Sequence, residues 1–328
     1  MSYPTLRLHP RKEESVLRFH PWIFSGAIAS FSAPVEDCYL VSVVDSKGRP
    51  LGTGHFGGGS IAVRLLSFDA EEVIDRAFYK RRLEAALRLR LSCDLVRPVG
   101  SSDSPNTTYR LVHGEGDSLP GLIIDIYDRT AVVQAHSLGM HQARQTIAEV
   151  LWEVFAEAGD PVLPLEGVYY KSETTLPTRD MRELASDGFL IGHTEAAPIY
   201  ENGVRFTPDW LKGQKTGFFI DQRDNRALVA HYAKGRTVLN AFCYTGGFSI
   251  YALHAGAKRV DSLDSSAKAM YLTEQHVALN FGADCPRHHS VTEDAFDYLE
   301  RMPESEYDLI ILDPPAFAKH RKVLRNAL

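Results

Sequence analysis

The sequence contains no apolar run long enough to cross a membrane and only four cysteines among its 328 residues. A membrane-spanning helix needs roughly 18 or more consecutive apolar residues, and the first twenty residues have no apolar core of a secretory signal. The cysteines are widely separated and form no C-x-x-C pair, which argues against a disulfide framework and against a zinc site. We therefore expect a cytoplasmic protein with reduced thiols, no membrane partner and no metal.

The composition is that of a globular protein, with 44% apolar and 24% charged residues, and it excludes a disordered chain. The net charge of −6 argues against a nucleic-acid-binding protein, but phosphate contacts depend on local patches. Seven basic residues and two acidic ones lie between Arg76 and Arg97. This segment is either an RNA-binding surface or a solvated helix face.

The order of predicted elements indicates three domains. Residues 1–70 read as short strands with glycine-rich turns, and residues 71–195 as a central α+β domain. Within the central domain, the pattern predicts a long basic helix capped by Asp69, and another helix from about His141 to Glu157. Residues 196–328 alternate strands and helices, which predicts a parallel sheet with helices on its faces. The fold class is therefore α/β with an all-β N-terminal domain.

The strongest chemical signal is a buried strand, Val238–Phe242, that runs through Thr245-Gly246-Gly247 into a helix. Adjacent glycines allow a sharp turn and a close approach of the backbone to a ligand. Open α/β sheets bind nucleotides at this end of their strands. A turn needed only for packing is the alternative.

Two acidic positions follow further along the chain. Asp264 closes the next strand, 17 residues after Gly247, near the roughly 20-residue spacing of a carboxylate that binds ribose hydroxyls. The G-x-G-x-x-G fingerprint is absent, which argues against a nicotinamide dehydrogenase. Glu293-Asp294 could reach an adenine amino group, although Asp294 could equally cap the helix that follows.

The segment YDLIILDPPAF, Tyr307–Phe317, is an apolar strand that ends in Asp313-Pro314-Pro315. The prolines stiffen the loop and remove backbone donors. A rigid loop beside the glycine turn can hold a planar base against a cofactor.

Together, TGGFS, the acidic strand end at Asp264, Glu293-Asp294 and DPPAF resemble class I S-adenosylmethionine-dependent methyltransferases of nucleic-acid bases. Three further segments, HPWIFSGAI (His20–Ile28), YRLVHGEGDSLPGLIID (Tyr109–Asp125) and KTGFFIDQRDNR (Lys215–Arg226), are similar to the bacterial 23S rRNA large-subunit methyltransferase I family. The resemblance implies an N-terminal RNA-binding PUA domain, a small central domain and a Rossmann-like methyltransferase domain. It also implies S-adenosylmethionine as cofactor, 23S rRNA as partner and 5-methylcytosine as product; a homodimer is compatible with it.

Carried over by position, the resemblance implies roles for individual residues. The implied cofactor site consists of Lys215, Asp221, Gln222, Arg223, Asn225, Phe242, Tyr244, Thr245, Gly246, Gly247, Asp264 and Asp294. Within it, the two glycines would approach the methionine part, Asp264 the ribose and Asp294 the adenine. Asp313, Pro314 and Pro315 would face the target base. The segment Lys215–Arg226 would close over the cofactor, or alternatively form a helix cap, with Asp221 as the capping residue, over two core phenylalanines.

The RNA contacts are predicted only from the charge of the residues and from their order along the chain. The predicted residues are Lys12, Arg18, His20, Arg76, Arg81, Arg82 and Arg88. His113, in the HGEGD segment, is expected to hold a turn rather than to act as a base.

Methylation of cytosine carbon 5 requires a nucleophile at carbon 6, which the resemblance assigns to a cysteine on a later strand. The sequence ends 15 residues after Asp313, before that position, and we expect a truncated chain that binds cofactor but does not turn over. Cys243 is expected to pack behind the cofactor. A guanine-N2 or other base methyltransferase, and a non-catalytic RNA-binding protein, stay open as alternatives.

Overall fold

The computed structural model describes residues 3–36, 39–57, 59–101, 103–176 and 186–315. Cys38 and the end of the DPPAF motif, Ala316-Phe317, lie outside the described residues. The chain forms two compact units. The first unit comprises Met1–Ile199 and Pro208–Phe218, and the second comprises Tyr200–Thr207 and Phe219–Leu328.

The N-terminal domain is a six-stranded sheet with the order β2-β6-β5-β4-β1-β3. Its strands are β1 Thr5–Leu8, β2 Trp22–Phe24, β3 Ile28–Phe31, β4 Leu40–Val44, β5 Pro50–Phe56 and β6 Ile61–Ser67. The short helix α1, Glu14–Leu17, connects β1 and β2. β1 pairs in parallel with β4, and the other pairings are antiparallel. Alternating residues such as Val41, Val43, Val63 and Leu65 form its hydrophobic core, as the strand periodicity requires.

The central domain is a five-stranded sheet with the order β11-β10-β9-β8-β7 and helices packed against it. Its elements are β7 Thr108–His113, β8 Leu122–Tyr127, β9 Thr130–Ala135, β10 Gly167–Tyr170, β11 Gly188–Gly192, α2 Arg76–Ser92, α3 Leu138–Gln142 and α4 Arg144–Ala158. The single helix predicted from about His141 to Glu157 is therefore two helices. The first is capped by Ser137, whose side chain accepts a hydrogen bond from the Met140 amide, and the second begins after Ala143.

The predicted cap of the basic helix is also wrong. Helix α2 begins at Arg76, and the side chain of Asp75 accepts a hydrogen bond from the Phe78 amide at 2.9 Å. Asp69 instead accepts a hydrogen bond from the Glu71 amide within a turn, and Val73 is 60% exposed. Two aspartates in one short segment offer equivalent caps, and the tertiary packing of Phe78 and Tyr79 selects the second.

The second unit contains the parallel sheet that the alternation predicted. After the hairpin β12 Ile199–Glu201 and β13 Val204–Phe206, its elements are α5 Arg223–Ala233, β14 Thr237–Ala241, α6 Gly247–His254, β15 Arg259–Asp264, α7 Ala267–Phe281, β16 His288–Thr292, α8 Ala295–Arg301 and β17 Leu309–Leu312. The described strand order is β16-β15-β14-β17, and all of these pairings are parallel. Strand β16, which was not predicted, has a polar sequence, HHSVT, with little strand signal of its own.

Candidate functional site

The carboxyl ends of the parallel strands lie side by side at one edge of the sheet. Ala241 at the end of β14 pairs in register with Leu263 of β15 on one side and with Leu312 of β17 on the other. On the far side of β15, Asp264 pairs with Thr292. The register therefore brings four predicted segments to one edge: the glycine turn, Asp264, Glu293-Asp294 and Asp313-Pro314-Pro315.

The turn after β14 has an unusual backbone. Phe242, Tyr244 and Gly246 all have left-handed φ angles, of 58°, 50° and 73° respectively. A residue other than glycine in this region costs about 1–3 kcal/mol, and such strain occurs mostly at functional sites. We call residues 242–247 the strained bend. It ends where Gly247 begins helix α6.

Helix α7 holds the strained bend from behind. The Thr273 hydroxyl donates to the carbonyl of Tyr244 at 3.1 Å, and His276 Nδ1 lies 2.9 Å from the carbonyl of Thr245. A Cβ atom on Gly246 would lie 2.5 Å from the Thr273 methyl carbon, so no larger residue fits without displacement. Glycine is thus required at position 246 by backbone conformation and by packing.

Asp264 joins the strained bend to the next strand. One carboxylate oxygen accepts a hydrogen bond from the Tyr244 amide at 3.0 Å, and the other accepts from the Ser266 amide at 2.9 Å. The carboxylate is therefore held in a fixed orientation before any ligand arrives. Each oxygen has two lone pairs, so both retain capacity for a hydroxyl donor.

A buried ion pair lies below the strained bend and was not predicted. The Arg226 guanidinium forms two hydrogen bonds with the Glu201 carboxylate, at 2.8 and 2.7 Å. Arg226 also donates to the carbonyl of Phe219 at 2.9 Å, and Tyr251 donates its hydroxyl to Glu201. A Cβ atom on Gly247 would lie 3.1 Å from Arg226 Cδ, so the arginine stem packs directly against the first residue of α6.

The segment predicted to close over a cofactor is divided between the two units. Lys215 belongs to the first unit, where its carbonyl accepts a hydrogen bond from Gln134 Nε2 at 3.2 Å. Residues from Phe219 onward belong to the second unit, where the Phe219 ring packs edge-on against Tyr244 with centroids 5.4 Å apart.

The predicted polar residues of this segment lie at the start of α5. Asn225 donates to the Gln222 side chain at 2.7 Å, and Arg223 pairs with Asp224 at 3.3 Å. Gln222, rather than Asp221 as predicted, occupies the N-cap position, because a 3₁₀ turn over Ile220–Gln222 precedes the helix. Asp221 is exposed.

The Asp294 carboxylate caps helix α8 by accepting hydrogen bonds from the amides of Phe296 and Asp297 at 2.8 and 3.3 Å. The capping alternative for this residue is therefore correct, and an adenine contact would have to use its remaining lone pairs. The Glu293 amide donates to the Asp264 carbonyl at 3.2 Å, which fixes the two acidic strand ends next to each other.

Cys243 is buried and lies 3.6 Å from the sulfur of Met270. Burial, and then the negative charge of Asp264, raises the pKa of Cys243 to about 12. Because a thiolate is the reactive form, this cysteine is unsuited to nucleophilic attack near neutral pH.

The residues predicted to contact RNA differ in whether their side chains already form ion pairs within the protein. Arg76 pairs with Glu149 and Glu153 of α4, and Arg81 and Arg82 both pair with Glu72. Arg88 lies 3.8 Å from Glu84. By contrast, Lys12, Arg18 and His20 are exposed in the N-terminal domain. The basic helix is thus largely charge-compensated, which makes it a weaker phosphate-binding surface than its sequence indicates.

The HGEGD segment joins the central and N-terminal domains. The indole of Trp22, in the HPWIF segment, donates to the Glu115 carboxylate at 2.7 Å. Within the same turn, the backbone amide of His113 donates to Asp117 at 2.6 Å, and the His113 ring Nδ1 lies 3.3 Å from Arg110 Nη1. Two of the sequence motifs thus meet in one contact.

Within the described ranges, no helix combines the length and apolar character of a membrane span. The same residues include no group of three or more His, Cys, Asp or Glu side chains arranged to hold a metal ion.

Comparison with known proteins identifies the family. A family model described as S-adenosylmethionine-dependent methyltransferase matches residues 178–327, and a PUA-like domain model matches residues 6–68. Ribosomal RNA large subunit methyltransferase I of Alteromonas mediterranea is 38% identical over 326 residues, or 98% of this chain and 77% of the relative. The Klebsiella pneumoniae protein of that name is 34% identical, with 99% and 78% covered. The chain belongs to the ribosomal RNA large subunit methyltransferase I family.

Solved structures support the same fold for this large subunit methyltransferase I family member. A structure described as a candidate SAM-dependent methyltransferase from Streptococcus mutans has a TM-score of 0.77 at 25% identity, covering 96% of this chain and 77% of that one. A methyltransferase in complex with SAH has a TM-score of 0.79 at 25% identity, with 98% and 78% covered. The protein is an S-adenosylmethionine-dependent methyltransferase with a PUA-like N-terminal domain.

The residues at the sheet edge fit this cofactor. The strained bend offers a backbone that a ligand can approach closely, because Gly246 and Gly247 carry no side chains. The Asp264 carboxylate, held by two backbone amides, retains acceptor capacity for ribose hydroxyls.

Proposed function

We propose that this protein transfers a methyl group from S-adenosylmethionine to a base of large subunit ribosomal RNA, and that the product is 5-methylcytosine in 23S rRNA. The observation that carries the proposal is the 3.0 Å hydrogen bond from the Tyr244 amide to Asp264. It joins the strained bend and the carboxylate at the strand-end edge of the sheet, which is where open α/β sheets bind nucleotides. The names of the curated relatives support ribosomal RNA as the substrate.

In this proposal, each part of the sheet edge has a separate task. Asp264 binds the ribose hydroxyls, Gly246 and Gly247 admit the methionine part, and Asp294 contacts the adenine. When bound, S-adenosylmethionine supplies a methyl group activated by its sulfonium charge. Asp313 and the two prolines after it follow β17, which pairs with β14, and they hold the target base beside the strained bend.

The Arg226–Glu201 pair has a positioning role in the same proposal. It fixes the Phe219 carbonyl and supports Gly247, so it sets the distance between the segment that begins at Phe219 and the strained bend. Because it is buried, it contributes through geometry and makes no contact with the RNA.

The target atom depends on a nucleophile. Addition to carbon 6 of cytosine requires a thiolate, and the raised pKa of Cys243 argues against this residue. The expectation that a cysteine beyond Leu328 supplies it stays a prediction, as do a homodimer and a cytoplasmic location. Methylation of guanine N2, which needs no such nucleophile, is the alternative product.

Replacement of Asp264 with alanine tests the cofactor site. Each charge-assisted hydrogen bond contributes about 1.5–3 kcal/mol, so loss of two should weaken S-adenosylhomocysteine binding by roughly 100-fold or more in isothermal titration calorimetry. Asp297→Ala removes an exposed carboxylate from α8 and should leave the affinity unchanged. Circular dichroism melting of both variants separates lost binding from lost folding. Unchanged affinity in a folded Asp264→Ala protein would show that the cofactor pocket lies elsewhere.

Nucleoside mass spectrometry tests the product. Unmodified 23S rRNA is incubated with S-adenosylmethionine and either this chain or a version extended beyond Leu328. The proposal expects 5-methylcytidine with the extended protein, and N2-methylguanosine would replace the cytosine assignment with the guanine one. A protein that binds RNA but no S-adenosylhomocysteine would be a non-catalytic RNA-binding protein.

A further inference from the structure

Strand β6 carries an arginine on the sheet face that the central domain covers. Val63 and Leu65 point into the N-terminal core, so Arg64 and Leu66 point to the opposite face. Leu66 packs into the hydrophobic core of the central domain. A Cβ atom on Gly121 of the central domain would lie 3.6 Å from Arg64 Cδ. Arg64 therefore lies at the junction between the two domains.

Arg64 forms a row with two neighbours on adjacent strands. It pairs in register with Trp22 of β2 and with His55 of β5, and in-register residues share a sheet face. Trp22 uses its indole N–H to bind Glu115. His55 is 8% exposed and packs against Gly139, and its Nδ1 has no hydrogen-bond partner among the described residues. The row thus contains an unsatisfied buried nitrogen beside a cation.

The guanidinium of Arg64 has no hydrogen-bond or ion-pair partner in the part of the chain that the structure describes. Burial lowers the pKa of Arg64, while the nearby Glu115 raises it, yet Glu115 makes its hydrogen bond to Trp22. Burial, Arg110 and Arg64 lower the pKa of His136, and Glu115 raises it, so Arg64 and Glu115 both lie close enough to His136 to influence its charge. Arg64 is partly buried, and a partly buried guanidinium without a carboxylate partner can bind an anion from outside the protein.

We propose that Arg64, with His136 nearby, binds a phosphodiester group of the RNA substrate at the junction of the N-terminal and central domains. The proposal rests on the proposed function, which makes RNA the substrate. A guanidinium matches phosphate through two parallel hydrogen bonds. The centroids of the exposed His20 ring and the Trp22 ring lie 5.7 Å apart, so the RNA strand can continue from the junction toward His20 and Arg18.

The experiment measures binding of the full chain to unmodified 23S rRNA, transcribed in vitro, over a series of salt concentrations. Arg64→Gln should lower the affinity about tenfold or more and reduce the slope of log affinity against log salt by about 0.7–0.9. Arg49→Gln is the matched control, because Arg49 lies in the same domain but already pairs with Asp45 at 2.6 Å. It should leave both quantities unchanged.

A second variant separates binding from folding. If Arg64 has no partner until an anion binds, the Arg64→Met protein should have the same melting temperature as the wild type in the absence of RNA. Its affinity for RNA should nevertheless be lower. A destabilised Arg64→Met protein with an unchanged salt slope would overturn the proposal and assign Arg64 a structural role. S-adenosylhomocysteine binding, measured in parallel, should stay as in the wild type. If the wild type itself does not bind 23S rRNA, the proposed function fails; if it binds and Arg64→Gln behaves as wild type, only the present inference fails.

Discussion

Two arginines with little solvent exposure show how differently this chain treats a buried charge. Arg226, below the strained bend, is 2% exposed and pairs with Glu201, which is 0% exposed. The Arg226 guanidinium also donates a hydrogen bond to the backbone carbonyl of Phe219, so its charge is paired entirely by groups of the protein. Arg64, at the junction of the N-terminal and central domains, is partly buried and has no such partner among the described residues.

The difference indicates separate tasks for the two regions. A completed ion pair fixes geometry and needs nothing from outside the protein. An uncompensated cation stores an unfavourable desolvation energy that an incoming anion can relieve. The region around the strained bend is therefore preorganised, whereas the proposed phosphate site at the junction completes its interactions only with a ligand.

The largest expected effect is the loss of stability when the buried Arg226–Glu201 ion pair is broken. Glu201→Gln leaves the Arg226 charge buried and without a carboxylate, and breaking a buried pair in this way typically costs about 3–5 kcal/mol. The free energy of unfolding from urea titration should fall by that amount. Glu306→Gln is the control, because Glu306 pairs with Arg259 at a partly exposed position and should cost less than about 1 kcal/mol. Equal losses in the two variants would show that the Arg226 pair is not specially buried in solution.

The next largest expected effect is a dependence of the free energy of unfolding on pH, which originates from His55 at the junction. Burial, and then the charge of Arg64, lowers the pKa of His55 to about 4. Protonation therefore favours the unfolded state: the stability contribution is fully present above pH 6.5 and is lost as the pH falls toward 4. A shift of this size corresponds to roughly 3 kcal/mol.

His55→Gln should accordingly flatten the dependence of unfolding free energy on pH between 6.5 and 4, although His288, whose pKa burial also lowers to about 4, retains part of it. His9→Gln, which replaces an exposed histidine, should leave the dependence unchanged. If His55→Gln and His9→Gln give the same profile, the His55 side chain is not buried in solution.

The smallest effect measures how tightly the strained bend is packed. Gly246→Ala combines a left-handed φ with a clash against Thr273 and should cost about 1–3 kcal/mol. Gly256→Ala has a similar φ of 87° with nothing within 4 Å, so it reports the backbone cost alone. Thr273→Ser removes the clashing methyl group, keeps the hydroxyl and should recover part of the Gly246→Ala loss in a double-mutant cycle. Absence of any recovery would mean that backbone strain, and not packing, requires glycine at this position.

The sequence alone was sufficient to predict which segments meet at the sheet edge. Parallel strands bring their carboxyl ends together, so a glycine turn and an acidic residue after consecutive strands had to be neighbours. The site roles assigned to individual residues, however, stay predictions.

Long-range partners could not be predicted in the same way. Glu201 lies 25 residues from Arg226 on a different element, and no local pattern marks the pair. Likewise, the basic face of α2 is neutralised in part by glutamates of α4, such as Glu149, 73 residues beyond Arg76. Counting charges along the chain overestimates a basic surface whenever its counterions come from another element.

The left-handed residues of the strained bend have a consequence for attempts to improve this protein. Asparagine or glycine at positions 242 and 244 would relieve the strain of the main chain. Either replacement would also delete an aromatic ring, because Phe242 packs against Phe296 and Tyr244 against Phe219. The backbone strain at these two positions and the aromatic packing around them therefore come together, and a replacement that removes one also removes the other.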